Sequence, residues 1–199
     1  MKAHEWERFF ASQRTEHGKH VFTVSELANV ASASPTVVNV MLARLARRGV
    51  VERVTRGIYA PPGVATTDDV LPLIAPGAYI TGARVLFDAG FITQVPLTTL
   101  CFTSRRPFRN ERNTSLGRLK LMVMSPPVYE PPPAGVRASP EQALFDLALT
   151  TDAHVPLRGL YTFRHAGNFR RAELHRLATR YQSITRDKVN DLLKSLQTS

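Results

Sequence analysis

Cysteine is almost absent from this sequence, with Cys101 the single example among 199 residues. One cysteine cannot form an intramolecular disulfide, a thiolate metal site or a CxxC redox pair, so a reducing interior is the simplest home for the chain. Long apolar runs are absent too, since no stretch approaches the roughly 18 apolar residues of a membrane span. The N-terminus also lacks the apolar core of a signal peptide. We therefore expect a soluble, cytoplasmic protein with no membrane partner.

The patterns that carry most enzyme chemistry are missing as well. The sequence has no glycine-rich phosphate loop, and its six histidines have spacings that match no metal-ligand pattern. Cys101 falls in a strand pattern without a nearby base, which favours a small buried residue over a nucleophile. We therefore predict no enzyme activity, no metal and no cofactor. The enzymatic alternative is a metal-dependent nucleic-acid enzyme built on Glu141 or Asp146, which lie five residues apart on one helix, too far round it for a shared catalytic face.

Acidic residues are scarce relative to basic ones. Sixteen Asp and Glu against 26 Lys and Arg give a formal net charge of +10 and a pI of about 10.5. Such a balance favours an anionic partner, which could be nucleic acid, a lipid headgroup surface or an acidic protein. The excess is concentrated locally. Residues 44–56 hold five bases and one acid, and residues 105–120 hold six bases and one acid.

Two helices are predicted in the first thirty residues. Aromatic residues with i, i+3 and i+4 spacing indicate a buried helical face over 4–14. A threonine followed three residues later by a glutamate, Thr23 and Glu26, is the capping-box pattern that opens a second helix. We expect Leu27 and Val30 of that helix to face inward.

A third helix and a β-hairpin follow. Ser34 is a suitable N-cap, a proline occupies the first helical position, and Gly49 is placed to end the helix in a left-handed conformation. Two β-prone runs, 50–54 and 58–60, flank a turn with glycine where a positive φ is needed. This order of elements predicts a winged helix-turn-helix domain over residues 1–62, followed by a short linker.

Residues 69–199 are predicted to form a mixed α/β C-terminal domain, which makes the fold class α+β. Strands are expected over 97–104 and 118–124, with a basic loop between them. Five prolines in 126–133 exclude a helix there. A cap, proline and acid signature beginning at Ser139 then predicts a further helix.

The third helix and the hairpin together suggest DNA recognition. In winged-helix proteins the second helix of the helix-turn-helix lies in the major groove, and neighbouring cations hold the phosphates. Threonine and asparagine near the start of the helix suit base edges, and asparagine can pair bidentately with adenine. Arg44 suits either a guanine edge or a phosphate, and Arg47 suits a phosphate. Clustered arginines displace cations condensed on DNA, and arginines on the hairpin suit the backbone or a narrow minor groove. The predicted DNA-binding residues are Thr36, Asn39, Arg44, Arg47, Arg48, Arg53 and Arg56.

Three alternatives remain open from the residues alone. Arg47 and Arg48 lie in the last turn of a helix, where the dipole favours positive charge in any protein. Winged helices also bind proteins, so the alternative function is an interaction module without sequence-specific DNA binding. The second basic segment could extend a nucleic-acid surface, meet an acidic partner or remain solvated. Its arginines are Arg105, Arg106, Arg109, Arg112 and Arg118.

Four segments of the chain resemble a known family. They are "FTVSELA", "VVNVMLARLARRGVVERVTRGIYAPP", "PGAYITGARVLFDAGFITQVP" and "ASPEQALFDLAL". Together they resemble the AbiEi-like antitoxins, the regulatory halves of bacterial type IV toxin–antitoxin and abortive-infection pairs. The similarity covers residues 21–149, and the combination of "YITGARVLFDAGFITQ" with "SPEQALFDL" is its more specific part.

The resemblance implies both a function and its partners. It implies a winged helix that binds inverted repeats in its own promoter and represses transcription, with the DNA contact carried by the basic residues already named. It also implies a C-terminal antitoxin module that counters a nucleotidyltransferase-like toxin without needing a stable complex with it. We expect a monomer or weak dimer that pairs on double-stranded DNA. The family's "PEKALLD" pattern has a basic residue at a position where this sequence has Gln142. This departure from the pattern concerns the antitoxin activity and not DNA binding.

Overall fold

The computed structural model describes residues 1–126 and 128–197. The chain divides into two compact units, of which the first comprises Met1–Ile74 together with Asn113–Leu116 and the second comprises the remainder. The division falls after Ile74, beyond the predicted linker, because Val70 is fully buried in an apolar cluster of the first unit with Val54 and Ile58. The helix that contains Val70 therefore belongs with the winged helix.

The first unit contains four helices and three strands among the described residues. They are α1 (Ala3–His17), β1 (Phe22–Thr23), α2 (Val24–Ala31), α3 (Pro35–Arg47), β2 (Glu52–Thr55), β3 (Ile58–Ala60) and α4 (Thr67–Ile74). The strands form an antiparallel sheet of order β1-β3-β2. Helices α2 and α3 followed by the β2–β3 hairpin confirm the predicted winged helix-turn-helix.

The predicted helix ends are present. The Thr23 hydroxyl accepts a hydrogen bond from the Glu26 N–H at 3.2 Å, and the Glu26 carboxylate accepts one from the Thr23 N–H at 2.7 Å. The Ser34 hydroxyl accepts a hydrogen bond from the N–H of Val37 at 3.4 Å. Gly49, just beyond α3, has φ of +72°, in the left-handed region that favours glycine. Local hydrogen bonds therefore set where α3 begins and ends.

The core of the first unit is largely as predicted. Trp6 is fully buried and stacks on Phe10 with a centroid separation of 5.5 Å. The prediction for Val30 was wrong, because its side chain is 44% exposed. The buried stripe of α2 follows Val24, Leu27 and Ala28 at i, i+3 and i+4 spacing, and Val30 lies outside it.

The second unit combines a sheet with five α-helices and one 3-10 helix among the described residues. The elements after α4 are β4 (Tyr79–Thr81), α5 (Ala83–Asp88), β5 (Thr98–Thr103), β6 (Glu111–Thr114), β7 (Gly117–Val123), α6 (Pro140–Thr150), α7 (Leu157–Leu160), a 3-10 helix (Ala166–Asn168), α8 (Arg171–Ala178) and α9 (Ser183–Gln197). The sheet order is β4-β5-β7-β6, with β4 antiparallel and β7 parallel to β5. The mixed architecture confirms the α+β class.

The loop predicted between the two long strands is wrong in part. Residues Glu111–Thr114 form β6 at one edge of the sheet. Their sequence, ERNT, contains no apolar alternation, so a pattern based on hydrophobicity does not detect the strand. Its residues alternate instead between exposed and half-buried positions.

Helix α6 lies at the centre of the second unit. Its residues 141–148 are all buried, and it packs against α5, α8, α9 and β4. The Ser139 hydroxyl caps it by accepting the N–H of Gln142 at 3.1 Å, as predicted. Within the described ranges, no helix combines the length and the apolar character required to cross a membrane.

Candidate nucleic-acid interface

The solvent-facing side of α3 carries the predicted base-contacting residues. Thr36 and Asn39 are exposed in the first turns of the helix, whereas Val38 and Leu42 on the opposite side are fully buried. The first residues of α3 and its N-cap Ser34 are exposed, so this end of the helix lies at the surface. The backbone N–H groups at the start of a helix favour a nearby negative charge. The helix therefore presents short polar side chains next to its positive end.

All five arginines of the predicted interface are exposed. They form what we call the arginine set: Arg44, Arg47, Arg48, Arg53 and Arg56. None of them makes an ion pair or a side-chain hydrogen bond with any residue in the ranges 1–126 and 128–197. In the described part of the chain no carboxylate pairs with them, so their positive charge is available to an anionic partner such as a phosphate. Contact of these residues with DNA stays a prediction.

The β2–β3 hairpin, the wing of the domain, is held from two sides. Gly57 has φ of +79° in the turn, and its carbonyl accepts the N–H of Val24 at 3.0 Å, which ties the turn to the start of α2. On the other side, the Ser115 N–H donates to the Val54 carbonyl at 2.8 Å, and the Thr55 hydroxyl donates to the Asn113 carbonyl at 3.1 Å. Arg53 and Arg56 are therefore exposed on a hairpin that is held in place by hydrogen bonds on both sides.

Sequence reasoning missed the part that Asn113–Leu116 play in the first unit. These residues lie more than fifty positions from the wing in sequence. Their hydrogen bonds to β2 use their own backbone groups, and Leu116 packs against the apolar cluster that contains Val54. Backbone hydrogen bonding of this kind leaves little mark on residue type. Only the folded chain places this segment beside the wing.

Two exposed valines interrupt the polar surface of α3. Val37 is 56% exposed and Val40 is 52% exposed, and we refer to them as the valine pair. With Thr36, Met41 and Arg44 they line a shallow surface groove of about 380 Å³. The helical period could have indicated that both point outward, because Val38 and Leu42 define the buried side.

The second basic segment is only partly exposed. Arg105, Arg106, Arg109 and Arg118 are exposed, but Arg112 is half-buried. Its Nε atom is buried and has no hydrogen-bond partner in the described part of the chain. The difference arises because Arg112 lies on β6, where successive side chains face opposite sides of the sheet. A binding role for this segment stays a prediction.

Comparison with known proteins bears on the winged helix first. Residues 14–62, which include α2, α3 and the wing, match the model of a family described as "Transcriptional regulator, AbiEi antitoxin". This is the family that the sequence resemblance predicted. The match supports a general role as an antitoxin or transcriptional regulator.

Comparison with solved structures identifies a protein whose fold is similar over most of the chain. The chain is similar to the crystal structure of the RV2827C protein from Mycobacterium tuberculosis, with a TM-score of 0.56 and 19% sequence identity. The alignment covers 96% of this chain and 77% of the other. At this identity the likeness concerns the fold alone. No curated protein was found to match the sequence.

The second unit contains a buried carboxyl group at Asp146. Its oxygens accept hydrogen bonds from the hydroxyls of Thr81 and Tyr181, both at 2.6 Å, and from the more distant hydroxyl of Tyr79 at 3.5 Å. Burial raises the pKa of Asp146 to about 7, although the three hydroxyls act in the opposite direction. The side chain is fully enclosed, and its hydrogen bonds join α6 to β4 and to the residues between α8 and α9.

Glu141, the other acid of the enzymatic alternative, is engaged in a salt bridge. Its carboxylate accepts hydrogen bonds from the Arg170 guanidinium at 3.0 and 3.2 Å and from the Arg170 N–H at 2.8 Å. Burial opposes ionisation, but the hydrogen bonds from Arg170 outweigh it and lower the pKa of Glu141. Glu141 lies in the first turn of α6, as expected, and also ties α6 to the start of α8.

Gln142, next to Glu141 on α6, is also buried. Its amide donates hydrogen bonds to the Tyr79 hydroxyl at 3.1 Å and to the Glu130 carbonyl at 2.7 Å. Gln142 is 6% exposed. Because Tyr79 also donates a hydrogen bond to Asp146, Gln142 belongs to the buried network around that carboxyl group. Across residues 1–126 and 128–197, no group of three or more His, Cys, Asp or Glu side chains is arranged to hold a metal ion.

Proposed function

We propose that this protein is a DNA-binding transcriptional autorepressor and the antitoxin of a type IV toxin–antitoxin, or abortive-infection, system. It binds inverted repeats in its own promoter, counters a nucleotidyltransferase-like toxin and carries out no catalysis itself. The observation that supports DNA binding best is the arginine set on α3 and the wing, which is exposed and has no ion-pair or side-chain hydrogen-bond partner among the described residues. The family match over residues 14–62 supports the regulatory and antitoxin roles.

The proposed binding mode assigns a task to each part of the winged helix. Helix α3 enters the major groove, where Thr36 and Asn39 meet base edges. Arg44 and the arginines at the end of α3 contact phosphates, and the wing arginines reach the backbone or an adjacent minor groove. Two copies on an inverted repeat share the twofold symmetry of the site. Repression follows because the bound copies occupy the promoter.

A salt titration tests this proposal. Fluorescence anisotropy of the DNA upstream of the reading frame is measured with the full chain at several salt concentrations. The logarithm of the binding constant should fall linearly with the logarithm of salt, by about 0.9 for each phosphate contacted. Arg44→Ala should weaken binding and reduce that slope by about one.

The control for this titration is Arg186→Ala, which removes an exposed arginine from α9 of the second unit. It should leave both affinity and slope at the wild-type values. Salt-independent binding by the wild type, or an Arg44→Ala titration that coincides with that of the wild type, would contradict the proposed interface.

The antitoxin role has its own test. We expect an adjacent reading frame to encode a nucleotidyltransferase-like protein that arrests growth when it is expressed alone, and we expect co-expression of the present chain to restore growth. A variant in which Arg44, Arg53 and Arg56 are all alanine should still protect, because the proposed antitoxin module is the second unit. Growth arrest that persists with equal amounts of both proteins would contradict this role.

A further inference from the structure

The valine pair is exposed in the middle of the proposed DNA interface. Val37 and Val40 lie three residues apart and so face the same side of α3, with more than half of each side chain open to solvent. Exposure of apolar side chains to water is unfavourable in free energy, and contact with another apolar group removes part of that cost. The groove that they line with Met41 is therefore suited to a small apolar group.

The charge around this groove narrows the choice of partner. Helix α3 contains no Asp or Glu, and Arg44 forms part of the groove itself. Arg47, one turn further on, is exposed and makes no ion pair with the described residues. A matching partner must be anionic and must also present small apolar groups. The DNA major groove has both, because the 5-methyl group of thymine projects into it between two phosphate backbones.

We infer that Val37 and Val40 are specificity-determining residues that contact thymine methyl groups. The protein would then prefer A·T pairs at the positions that face the start of α3. This inference rests on the proposed DNA-binding function and adds sequence discrimination, which phosphate contacts cannot supply. Asn39 lies between the two valines in sequence, and its amide can pair with the adenine of an A·T pair. The methyl contacts and the amide thus favour the same kind of base pair.

Replacement of thymine by deoxyuridine tests the inference directly. Uracil lacks only the 5-methyl group, so the base pairing and the phosphates are kept. The probe is the upstream duplex that the wild-type protein protects in footprinting, synthesised once with thymine and once with uracil. Wild-type protein should bind the uracil duplex about fourfold more weakly for each methyl contacted, the factor that corresponds to one buried methyl-sized group.

Variants identify which side chains read the methyl groups. Val37→Ala and Val40→Ala should each weaken binding to the thymine duplex and discriminate less between the two duplexes. The matched control is Val30→Ala, which shortens an exposed valine on α2 and should discriminate as the wild type does. The wild-type comparison needs no variant, so it tests the inference even where a substitution impairs folding.

The outcomes separate this inference from the function on which it rests. Equal wild-type affinity for both duplexes, with salt dependence retained, overturns the methyl contacts and leaves DNA binding intact. Absence of salt-dependent binding to either duplex removes the proposed function and the inference with it. A third outcome also overturns the inference. The wild type binds both duplexes with equal affinity, and Val37→Ala or Val40→Ala sediments differently from the wild type in the absence of DNA. This result would assign the groove to contact between two copies of the chain.

Discussion

A variant with Arg44, Arg53 and Arg56 all changed to alanine is expected to bind the upstream DNA about a hundredfold more weakly than the wild type at about 0.15 M salt. Each phosphate contact contributes about 0.9 to the slope of the logarithm of the binding constant against the logarithm of salt concentration. At about 0.15 M salt, relative to 1 M, this corresponds to roughly fivefold in affinity for each contact. Three independent contacts multiply to about two orders of magnitude. All three side chains are exposed, so the stability of the fold should hardly change.

A lysine version of the same variant distinguishes charge from geometry. Lysine keeps the positive charge but lacks the planar fork of the guanidinium group. If counterion release dominates, the triple lysine variant should recover most of the lost affinity and the wild-type salt slope. Recovery of the slope without the affinity would indicate bidentate contacts. Binding of the triple alanine variant at wild-type strength would rule out this surface as the DNA interface.

The second large effect concerns the pH dependence of stability through Asp146. Burial raises its pKa to about 7 in the folded protein, whereas an unfolded chain has a value of about 3.9. Between these values the folded state keeps a proton that the unfolded state has lost. The contribution of Asp146 to stability is therefore greatest below about pH 4 and declines as pH rises to about 7, by roughly 4 kcal/mol in total.

Asp146→Asn isolates this contribution. Asparagine is similar in shape and neutral at every pH. The hydroxyls of Thr81 and Tyr181 donate to different oxygens of Asp146, so the single amide oxygen of asparagine can accept only one of them, and its NH2 group can donate to the other hydroxyl oxygen, as the O–H of a protonated carboxyl can. Urea unfolding of both proteins from about pH 4 to about pH 8 should show wild-type stability falling relative to the variant across that range. The matched substitution Asp187→Asn, on the exposed face of α9, should leave the decline in place. Parallel profiles for the wild type and Asp146→Asn would contradict the proposed protonation of Asp146.

The buried network also explains why Asp146 is poorly suited to catalysis. Its partners Tyr79, Thr81 and Tyr181 come from β4 and from the residues just before α9, and all are buried. Their convergence on α6 gives the carboxyl group a packing role in the second unit. The sequence pattern could place Asp146 on a helix, but it held no information about the hydroxyls that surround it, since they lie at least 35 positions away.

The amino-acid sequence by itself determined the local framework of the winged helix. The Thr23 and Glu26 capping box, the Ser34 cap and the left-handed Gly49 were all predicted and are all present. These features depend on hydrogen bonds and backbone conformations within a few residues, which residue type controls directly. The outward position of the arginine set on α3 and the wing follows from the same local periods.

Only the tertiary structure decided the features that depend on distant neighbours. These are the exposure of Val30, the half-burial of Arg112, the place of Asn113–Leu116 beside the wing and the enclosure of Asp146. The contacts of Arg112, Asn113–Leu116 and Asp146 are with elements that only folding brings close. Val30 is exposed because it lies outside the side of α2 that packs against other elements. Residue type within a short window does not encode that packing, because burial is a property of the assembled layers rather than of any single helix or strand.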